Sequence, residues 1–370
     1  MADKGRAAVY TEFGKPMEIR EYTVPEPEPG AILIKVTRAN ICGSDLHQWR
    51  GDVNLSLLGA PLPAILGHEM MGTVAKLGEG VTADSAGQPL AVGDRVVHRY
   101  FRPCGHCRAC MRGRDETCPM APLAVVSPVD EFPHFTGVYA DYYYAHPNQT
   151  VFKVPDNVTD DMAAPANCAL SQVIHGLERV GFGFGETVAI QGAGGLGLYA
   201  TAVAKDMGAA KVIVIDGIDE RLELAKAFGA DELIDIREIT TPVERWLKVK
   251  ELTDGWGADV VAELVGFPSV VSEGLDMLGN GGRYLEIGNV SPMMTCEIDP
   301  GMTLVMNNKS IHGVMLYPAD ALKKALDFLS RAKDRYPFDK ILSCSYALED
   351  VNEAFENQDK GHISRSTIIP

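Results

Sequence analysis

No stretch of the chain holds an uninterrupted apolar run of about 18 residues, the length a membrane-spanning helix needs. The opening MADKGRAAVYTEFGKP has no charged-then-apolar leader. Membrane insertion and secretion are therefore not expected, and the cytoplasm is the expected location. Positive charge is scarce too. Lys and Arg number 34 against 50 Asp and Glu, a formal net charge of −16, which repels nucleic acid and anionic membrane surfaces and leaves a small molecule as the expected partner. Internal repeats and low-complexity segments are lacking, which excludes a repeat array. What is present is a chain of 370 residues, 46% hydrophobic and 23% charged, long enough for two folded domains.

A reducing cytosol disfavours disulfides, so the eight cysteines point to metal binding or catalysis. Four of them fall in CGHCRACMRGRDETC, where Cys104, Cys107, Cys110 and Cys118 are spaced C-x2-C-x2-C-x7-C. Two residues between thiols let one turn present both sulfurs to a single ion. Zinc is the expected ion, because four thiolates in a tetrahedral site suit it and leave no open position. Such a site is structural; an iron–sulfur cluster is the rival.

Residues 6 to 155 are rich in short β-like runs broken by Gly and Pro, such as AILIKVTRA and DRVVHRYF. From about residue 170 the rhythm changes to strand then helix. TVAIQ, KVIVID, DELID, DVVAELV, RYLEIG and SIHGVM are six strand candidates, and their alternation with helical stretches predicts a parallel sheet covered on both faces. VAIQGAGGLG joins the first strand to a helix and supplies Gly192, Gly194, Gly195, Leu196 and Gly197 in a G-x-G-G-x-G pattern. KVIVID ends in Asp216, near the spacing at which an acid bonds the adenosine ribose. Glycines let the backbone approach a pyrophosphate, whose charge sits at the helix N-terminus. A carboxylate at Asp216 favours NAD over NADP, because it repels a 2′-phosphate. Arg221 opposes that choice if it pairs with such a phosphate.

The stretch NICGSDLHQWRG sets Cys42, Ser44, Asp45 and His47 close together; ILGHEMMG adds His68 and Glu69, and PANCALSQ adds Cys168. None means much alone. Together Cys42, His68 and Cys168 supply two thiolates and an imidazole, the three-ligand set that leaves zinc an open fourth position.

With these motifs the chain resembles the zinc-dependent alcohol dehydrogenases of the medium-chain dehydrogenase/reductase superfamily. The resemblance covers nearly the whole length: C-G-S-D-x-x-H from Cys42, G-H-E-x-x-G from Gly67 to Gly72, VGDRV at 92 to 96, the four-cysteine lobe, Cys168 and the glycine fingerprint. It implies an α/β protein in which a GroES-like β catalytic domain, residues 1–169 with a zinc lobe at about 100–120, is completed by a return segment, 315–370. A Rossmann doubly wound parallel sheet, 170–314, is inserted between them. It implies a catalytic zinc on Cys42, His68 and Cys168 with Glu69 beside it, Asp45 orienting His68, and Ser44 and His47 exchanging the alcohol proton with solvent. Arg365 matches an arginine expected near Glu69 and the cofactor phosphates. Two positions depart from the best-known pattern: Gly43 stands where many members carry a phosphate-binding arginine, and Gln172 where a threonine usually sits beside the nicotinamide.

The expected reaction is reversible oxidation of an alcohol, apolar or secondary and cyclic, to aldehyde or ketone, with NAD and two zinc ions per subunit, in a dimer or tetramer. Trp49, Leu55, Leu57, Leu58, Tyr100 and Phe101 are candidate pocket walls; Arg99 and Arg102 read as solvated charges flanking the lobe. A polyol or hydroxy-amino-acid dehydrogenase is the alternative enzyme, and a nucleotide-binding zinc-thiolate redox sensor the non-enzyme one. The piece ADSAGQPLA at 83 to 91 reads as a short surface hairpin.

Overall fold

Apolar side chains at alternate positions make the first part of the chain a set of strands. The computed structural model describes residues 3–52, 62–125, 127–290, 294–361 and 365–370. Its chain begins with β1 (Lys4–Tyr10), β2 (Glu18–Thr23) and the largely buried β3 (Ile32–Asn40). Helix α1 (Gly43–Arg50) follows, where the sequence has no apolar stripe; it buries only Asp45 and Leu46. A local bond fixes its start. Asp45 Oδ2 accepts from the backbone N–H of Cys42 at 2.9 Å, the third helical residue reaching back over the N-cap. Strands β4 (Ala64–Ile65), β5 (Glu69–Leu77), β6 (Arg95–His98), β7 (Tyr142–Ala145) and β8 (Val151–Lys153) come next, then the short α2 (Asp160–Ala163).

Strand and helix then alternate. The order is α3 (Ala169–Arg179), β9 (Thr187–Gln191), α4 (Gly195–Asp206), β10 (Lys211–Asp216), α5 (Asp219–Ala227), β11 (Glu232–Asp235), α6 (Pro242–Leu252), β12 (Ala258–Glu263), α7 (Ser269–Met277), β13 (Leu278–Glu286) and β14 (Ser310–Gly313). Every pairing among these strands is parallel. Their order is β11-β10-β9-β12-β13-β14, so successive strands run outward in opposite directions from β9, the switch point at which such sheets bind a dinucleotide. The chain ends with α8 (Ala319–Ala332), β15 (Cys344–Ala347), α9 (Val351–Asp359) and β16 (Ser366–Ile369).

These elements form two units. One holds Met1–Cys168, Pro318–Lys333 and Phe338–Pro370; the other holds Ala169–Tyr317 and Asp334–Pro337. The first unit is the GroES-like one, with a seven-stranded sheet ordered β15-β16-β3-β5-β6-β8 and β7 alongside β3. β16 lies between β15, to which it is parallel, and β3, to which it is antiparallel, so the last residues complete the sheet that the first residues begin. Its core includes Tyr10, Ile34, Val36, Met70, Tyr139, Phe355 and Ile368. The core of the Rossmann unit includes Ala189, Ile213, Val261, Leu275 and Tyr284. No helix among the described residues is long and apolar enough to cross a membrane.

Residues 83 to 91 do double back, Ala83 pairing with Pro89, yet the turn is anchored rather than loose. Asp84 is buried. Its Oδ1 accepts from the N–H groups of Ala86 and Gln88, and its Oδ2 from Lys153 N–H, each at 2.9 Å. Ser85 exchanges two bonds with Val151, backbone N–H to carbonyl and Oγ from backbone N–H, both at 2.9 Å.

Two carboxyls meet at the C-terminal ends of β12 and β13. Glu263 accepts from Val265 and Gly266 N–H at 2.7 Å and from Asn289 Nδ2 at 3.1 Å, and the same Nδ2 donates to Glu286 at 3.1 Å. Burial above all, then the neighbouring Glu286 carboxyl, pushes Glu263 up to about 8. The unfolded carboxyl releases its proton near 4.5, whereas the folded one keeps it to about 8. The folded chain therefore holds the extra proton between those values, and this group's stabilising contribution falls as pH rises through them. Glu263→Gln should flatten that slope. Urea melts of the whole chain at several pH values would measure it, and identical slopes for both proteins would refute the assignment.

Candidate functional site

Cys42 is the N-cap of α1, His68 and Glu69 stand at the start of β5, and Cys168 ends the 3-10 turn Ala164–Asn167. The fold brings them together: one ligand atom from each of Cys42, His68, Glu69 and Cys168 lies within 4.8 Å of the others, and all four residues are buried. Asp45 sets the orientation. His68 Nδ1 lies 3.1 Å from Asp45 Oδ1, which turns Nε2 toward the thiols, 3.3 Å from Cys168 Sγ. Tyr139 OH donates to Asp45 Oδ2, and Asn167 Nδ2 donates to the His68 carbonyl, each at 2.8 Å. Sequence spacing gives no sign of Tyr139 or Asn167, which lie 94 and 99 residues from their partners.

The electrostatics follow from burial. The hydrogen bond from Cys168, working against burial, holds Cys42 well below the ordinary thiol value, with His68 assisting. Cys42 and burial push Cys168 the other way. Burial opposes charge on His68, and the Asp45 carboxylate outweighs it, raising His68 well above its usual value. Glu69 is pushed up to about 7 by burial, even though Arg365 pulls it down. Arg365 Nη2 is paired with Glu69 Oε2, while Glu69 Oε1 is buried with no hydrogen-bond partner among the described residues.

Two sulfurs, an imidazole nitrogen and a lone carboxylate oxygen thus converge in the interior, where lone pairs without a partner are costly. A divalent ion with a taste for sulfur and nitrogen fits this donor set, and the contact from Asp45 to His68 is the usual outer support of such a ligand. The lobe fits a second ion. One atom from each of Cys104, Cys107, Cys110 and Cys118 also lies within 4.8 Å of the rest. Backbone N–H groups point at the sulfurs, Cys104 N–H to Cys118 Sγ and Cys107 N–H to Cys104 Sγ, both at 3.3 Å. Burial works against a thiolate at Cys118, but the N–H groups of Cys104 and Met120 bring it down to about 6.

Ser44 and His47 lie on the first and last turns of α1. A Cβ added at Gly43 would meet nothing within 4 Å, so the backbone there leaves room for the first carbon of a side chain. Tyr100 places its ring 4.6 Å from that of His68. The other pocket-wall candidates divide differently. Trp49 packs on Phe355 at 5.8 Å between ring centroids, Phe101 is fully buried, and Leu55, Leu57 and Leu58 lie outside the described residues. Arg99 is not a solvated charge: it is buried, pairs with Asp115 at 2.8 Å and lies over the Phe101 ring.

In the Rossmann unit the glycine loop leads from β9 to α4. Gly192 has φ +94°, and a Cβ at Gly197 would lie 1.9 Å from the Gly192 carbonyl, so this turn admits no side chain there. Gly194 is the N-cap of α4, with Gly195, Leu196 and Gly197 in the first turn. Asp216, at the end of β10, accepts from Ala193 N–H and Gly217 N–H at 2.7 Å and from Ile218 N–H at 3.0 Å. Arg221 Nη1 is 3.9 Å from its carboxylate. Gln172 is buried and donates to the Val314 carbonyl at 3.2 Å, so its amide ties α3 to the segment after β14.

A sulfur-rich metal centre in a GroES-like unit and a dinucleotide-type glycine turn in a parallel sheet define a zinc-binding dehydrogenase. Family models agree: that for the alcohol dehydrogenase GroES-like domain matches residues 28–156, and that for zinc-binding dehydrogenases matches 195–331. The chain is 33% identical to 5-exo-hydroxycamphor dehydrogenase of Pseudomonas putida over 98% of each chain. It is 32% identical to an alcohol dehydrogenase of Geobacillus stearothermophilus over 98% of this chain and 99% of that one. The crystal structure of an alcohol dehydrogenase from Thermotoga maritima matches with a TM-score of 0.92 at 30% identity, each chain being wholly covered. The chain belongs to the zinc-dependent alcohol dehydrogenases of the medium-chain dehydrogenase/reductase superfamily.

Removing one member of a buried ion pair leaves the other uncompensated. Arg365→Met is expected to lower stability by roughly 3 kcal/mol, read as a fall in thermal midpoint, with Arg365→Lys costing less. Equal midpoints for wild type and Arg365→Met would show that the pair contributes nothing.

Proposed function

We propose that the chain reversibly oxidises an alcohol to an aldehyde or ketone with NAD as hydride acceptor. In this reading Cys42, His68 and Cys168 hold a catalytic zinc and Cys104, Cys107, Cys110 and Cys118 a structural one. The observation that carries it is the buried quartet, whose donors converge on one point and leave Glu69 Oε1 without a partner among the described residues. When bound, zinc supplies Lewis-acid polarisation of the alcohol oxygen, which eases loss of its proton, and NAD supplies the hydride acceptor.

The remaining work falls to side chains. Asp45 keeps His68 Nε2 aimed at the metal position, and Tyr139 keeps Asp45 in place. Burial excludes competing water from the thiols. Arg365 holds one oxygen of Glu69, which leaves the other as an optional ligand. Ser44 and His47 carry the alcohol proton toward solvent. In the Rossmann unit the open backbone of Gly192, Gly194, Gly195, Leu196 and Gly197 admits the pyrophosphate at the N-terminus of α4. Asp216 faces the adenosine ribose.

Three backbone donors hold the Asp216 carboxylate, which supports NAD over NADP. Arg237, a second guanidinium nearby in sequence, is already committed to Asp235 and Asp219. The Tyr100 ring beside His68 favours an apolar alcohol, and the hydroxycamphor relative makes a cyclic secondary alcohol the first substrate to try; polyols and hydroxy-amino acids are the alternatives in the same assay. We place the enzyme in the cytoplasm because the metal-binding thiols require reduction. A dimer or tetramer belongs to the same proposal: β14 is an outermost strand of its sheet, and Met302, Val305, Met306, Ile311 and Met315 around it are exposed, an edge suited to a second copy.

Two substitutions separate the zinc roles. Wild type should hold two zinc ions per chain by metal analysis. Cys42→Ala should lose one ion and nearly all turnover, while NADH still binds by fluorescence titration. Cys104→Ala should lose thermal stability together with activity, because metal binding is coupled to folding of the lobe. A wild-type ratio near one, iron with visible absorbance, or an active Cys42→Ala would refute the reading.

Asp216→Gly removes an acceptor for the ribose hydroxyls and should weaken NAD binding about tenfold, the loss of one charge-assisted hydrogen bond. Parallel titrations with NAD and NADP would measure it. A wild type that prefers NADP would overturn the cofactor assignment.

A further inference from the structure

The last turn of α1 ends in a charged cluster formed by His47, Arg50, Asp52 and, from α9, Asp359. His47 Nδ1 lies 2.9 Å from Asp52 Oδ2 and 3.0 Å from Arg50 Nη2. Arg50 Nε donates to the same Asp52 oxygen at 2.9 Å, and its Nη1 is paired with Asp359. A carboxylate only accepts and a guanidinium only donates. The two contacts at Nδ1 therefore exclude each other in a neutral ring: Asp52 requires a hydrogen on Nδ1, whereas Arg50 requires a bare nitrogen.

The surrounding bonds decide between them. Arg50 already has Asp52 on Nε and Asp359 on Nη1, so its charge is balanced without His47. Proton uptake decides further, because the imidazolium carries hydrogen on both nitrogens, keeps its bond to Asp52 and loses any from Arg50. The bond from His47, with help from Arg50, holds Asp52 below the ordinary carboxylate value against some burial, so Asp52 stays ionised.

We infer that Asp52 is a positioning residue for the proton path: it fixes His47 in the Nδ1–H tautomer, so that unprotonated Nε2 takes the proton that leaves the alcohol, while Arg50 and Asp359 clamp Asp52. Asp52 does not take the proton. The imidazolium gives it to water and returns to the neutral Nδ1–H form; in the reverse reaction water reloads Nε2. The logic is that of a buried triad, here at a half-exposed helix end. The inference rests on the alcohol-oxidising reading for its purpose and on the Asp52 contact for its geometry, and the two are tested separately.

The experiment is nitrogen NMR of the full-length protein labelled on the histidine rings, with His47→Gln to assign the signals, alongside steady-state oxidation of the best alcohol. Wild type should show a hydrogen on Nδ1 of neutral His47. Asp52→Asn should move that hydrogen toward Nε2 and lower kcat by about tenfold or more, with KM for the alcohol changed less than about twofold and the melting curve unchanged. Asp52→Glu should restore the tautomer and most of kcat. An Nε2–H tautomer in wild type overturns the inference, as does an Asp52→Asn variant that keeps either the wild-type tautomer or the wild-type kcat. A wild type that turns over no alcohol yet shows an Nδ1–H tautomer dependent on Asp52 overturns the alcohol reading and leaves the positioning intact.

Discussion

One carboxylate organises the cluster of Cys42, His68, Glu69 and Cys168. Asp45 accepts from the backbone N–H of Cys42, from the Tyr139 hydroxyl and from the His68 ring. The first bond starts α1 and so places the Cys42 sulfur; the last turns His68 Nε2 toward the thiols, 3.3 Å from Cys168 Sγ. Helix capping and ligand orientation are thus two effects of the same group. The side chain is fully buried, and burial is tolerable because each of its bonds comes from a donor of the surrounding structure. The Glu69–Arg365 pair and the His68 carbonyl held by Asn167 flank the same ring.

The Rossmann half was the more legible part of the sequence. Its strands lie in continuous apolar runs such as VIVI and VVA, each followed by a helix and a glycine or polar turn, so local pattern and global topology agree. The six strand candidates correspond to β9 through β14. The GroES-like half was less legible because its order depends on distant pairings. α1 is the plainest case: a polar stretch becomes a helix through a cap, without apolar periodicity. Trp49 and Phe101 are large apolar residues near metal motifs, and sequence alone offers no means to tell a pocket wall from a core contact; Trp49 packs on Phe355 and stays partly buried, whereas Phe101 is buried under Arg99. The convergence of Cys42, His68, Glu69 and Cys168 was anticipated from motif spacing and family resemblance. The partners that hold those residues, Tyr139 and Asn167, carry no local signal at all.

Chain topology adds a constraint of its own. The sheet of the first unit receives β16 between β3 and β15, so residues near 40 cannot acquire all their neighbours until residues near 368 exist. The Rossmann strands, by contrast, are contiguous in sequence, and none of their pairings spans more than the 72 residues between Val188 and Val260. Non-local pairing of the first kind slows folding because loop closure precedes its reward, and the same unit carries both cysteine sets. All members of both sets lie between residues 42 and 168, so they are in hand well before the strand that closes their sheet.

The anchored turn at residues 83 to 91 bears on what such a sheet does to its neighbours in a crowded solution. β8 ends the sheet on its side, and an outermost strand offers a row of unused amides to any extended peptide. Here the outward N–H and carbonyl of Val151 and the N–H of Lys153 are taken by Ser85 and Asp84. A buried carboxylate and a hydroxyl have been substituted for the strand that would otherwise dock. The turn thus acts as a stopper against edge-to-edge polymerisation at β8, and it does so with two side chains and one backbone exchange.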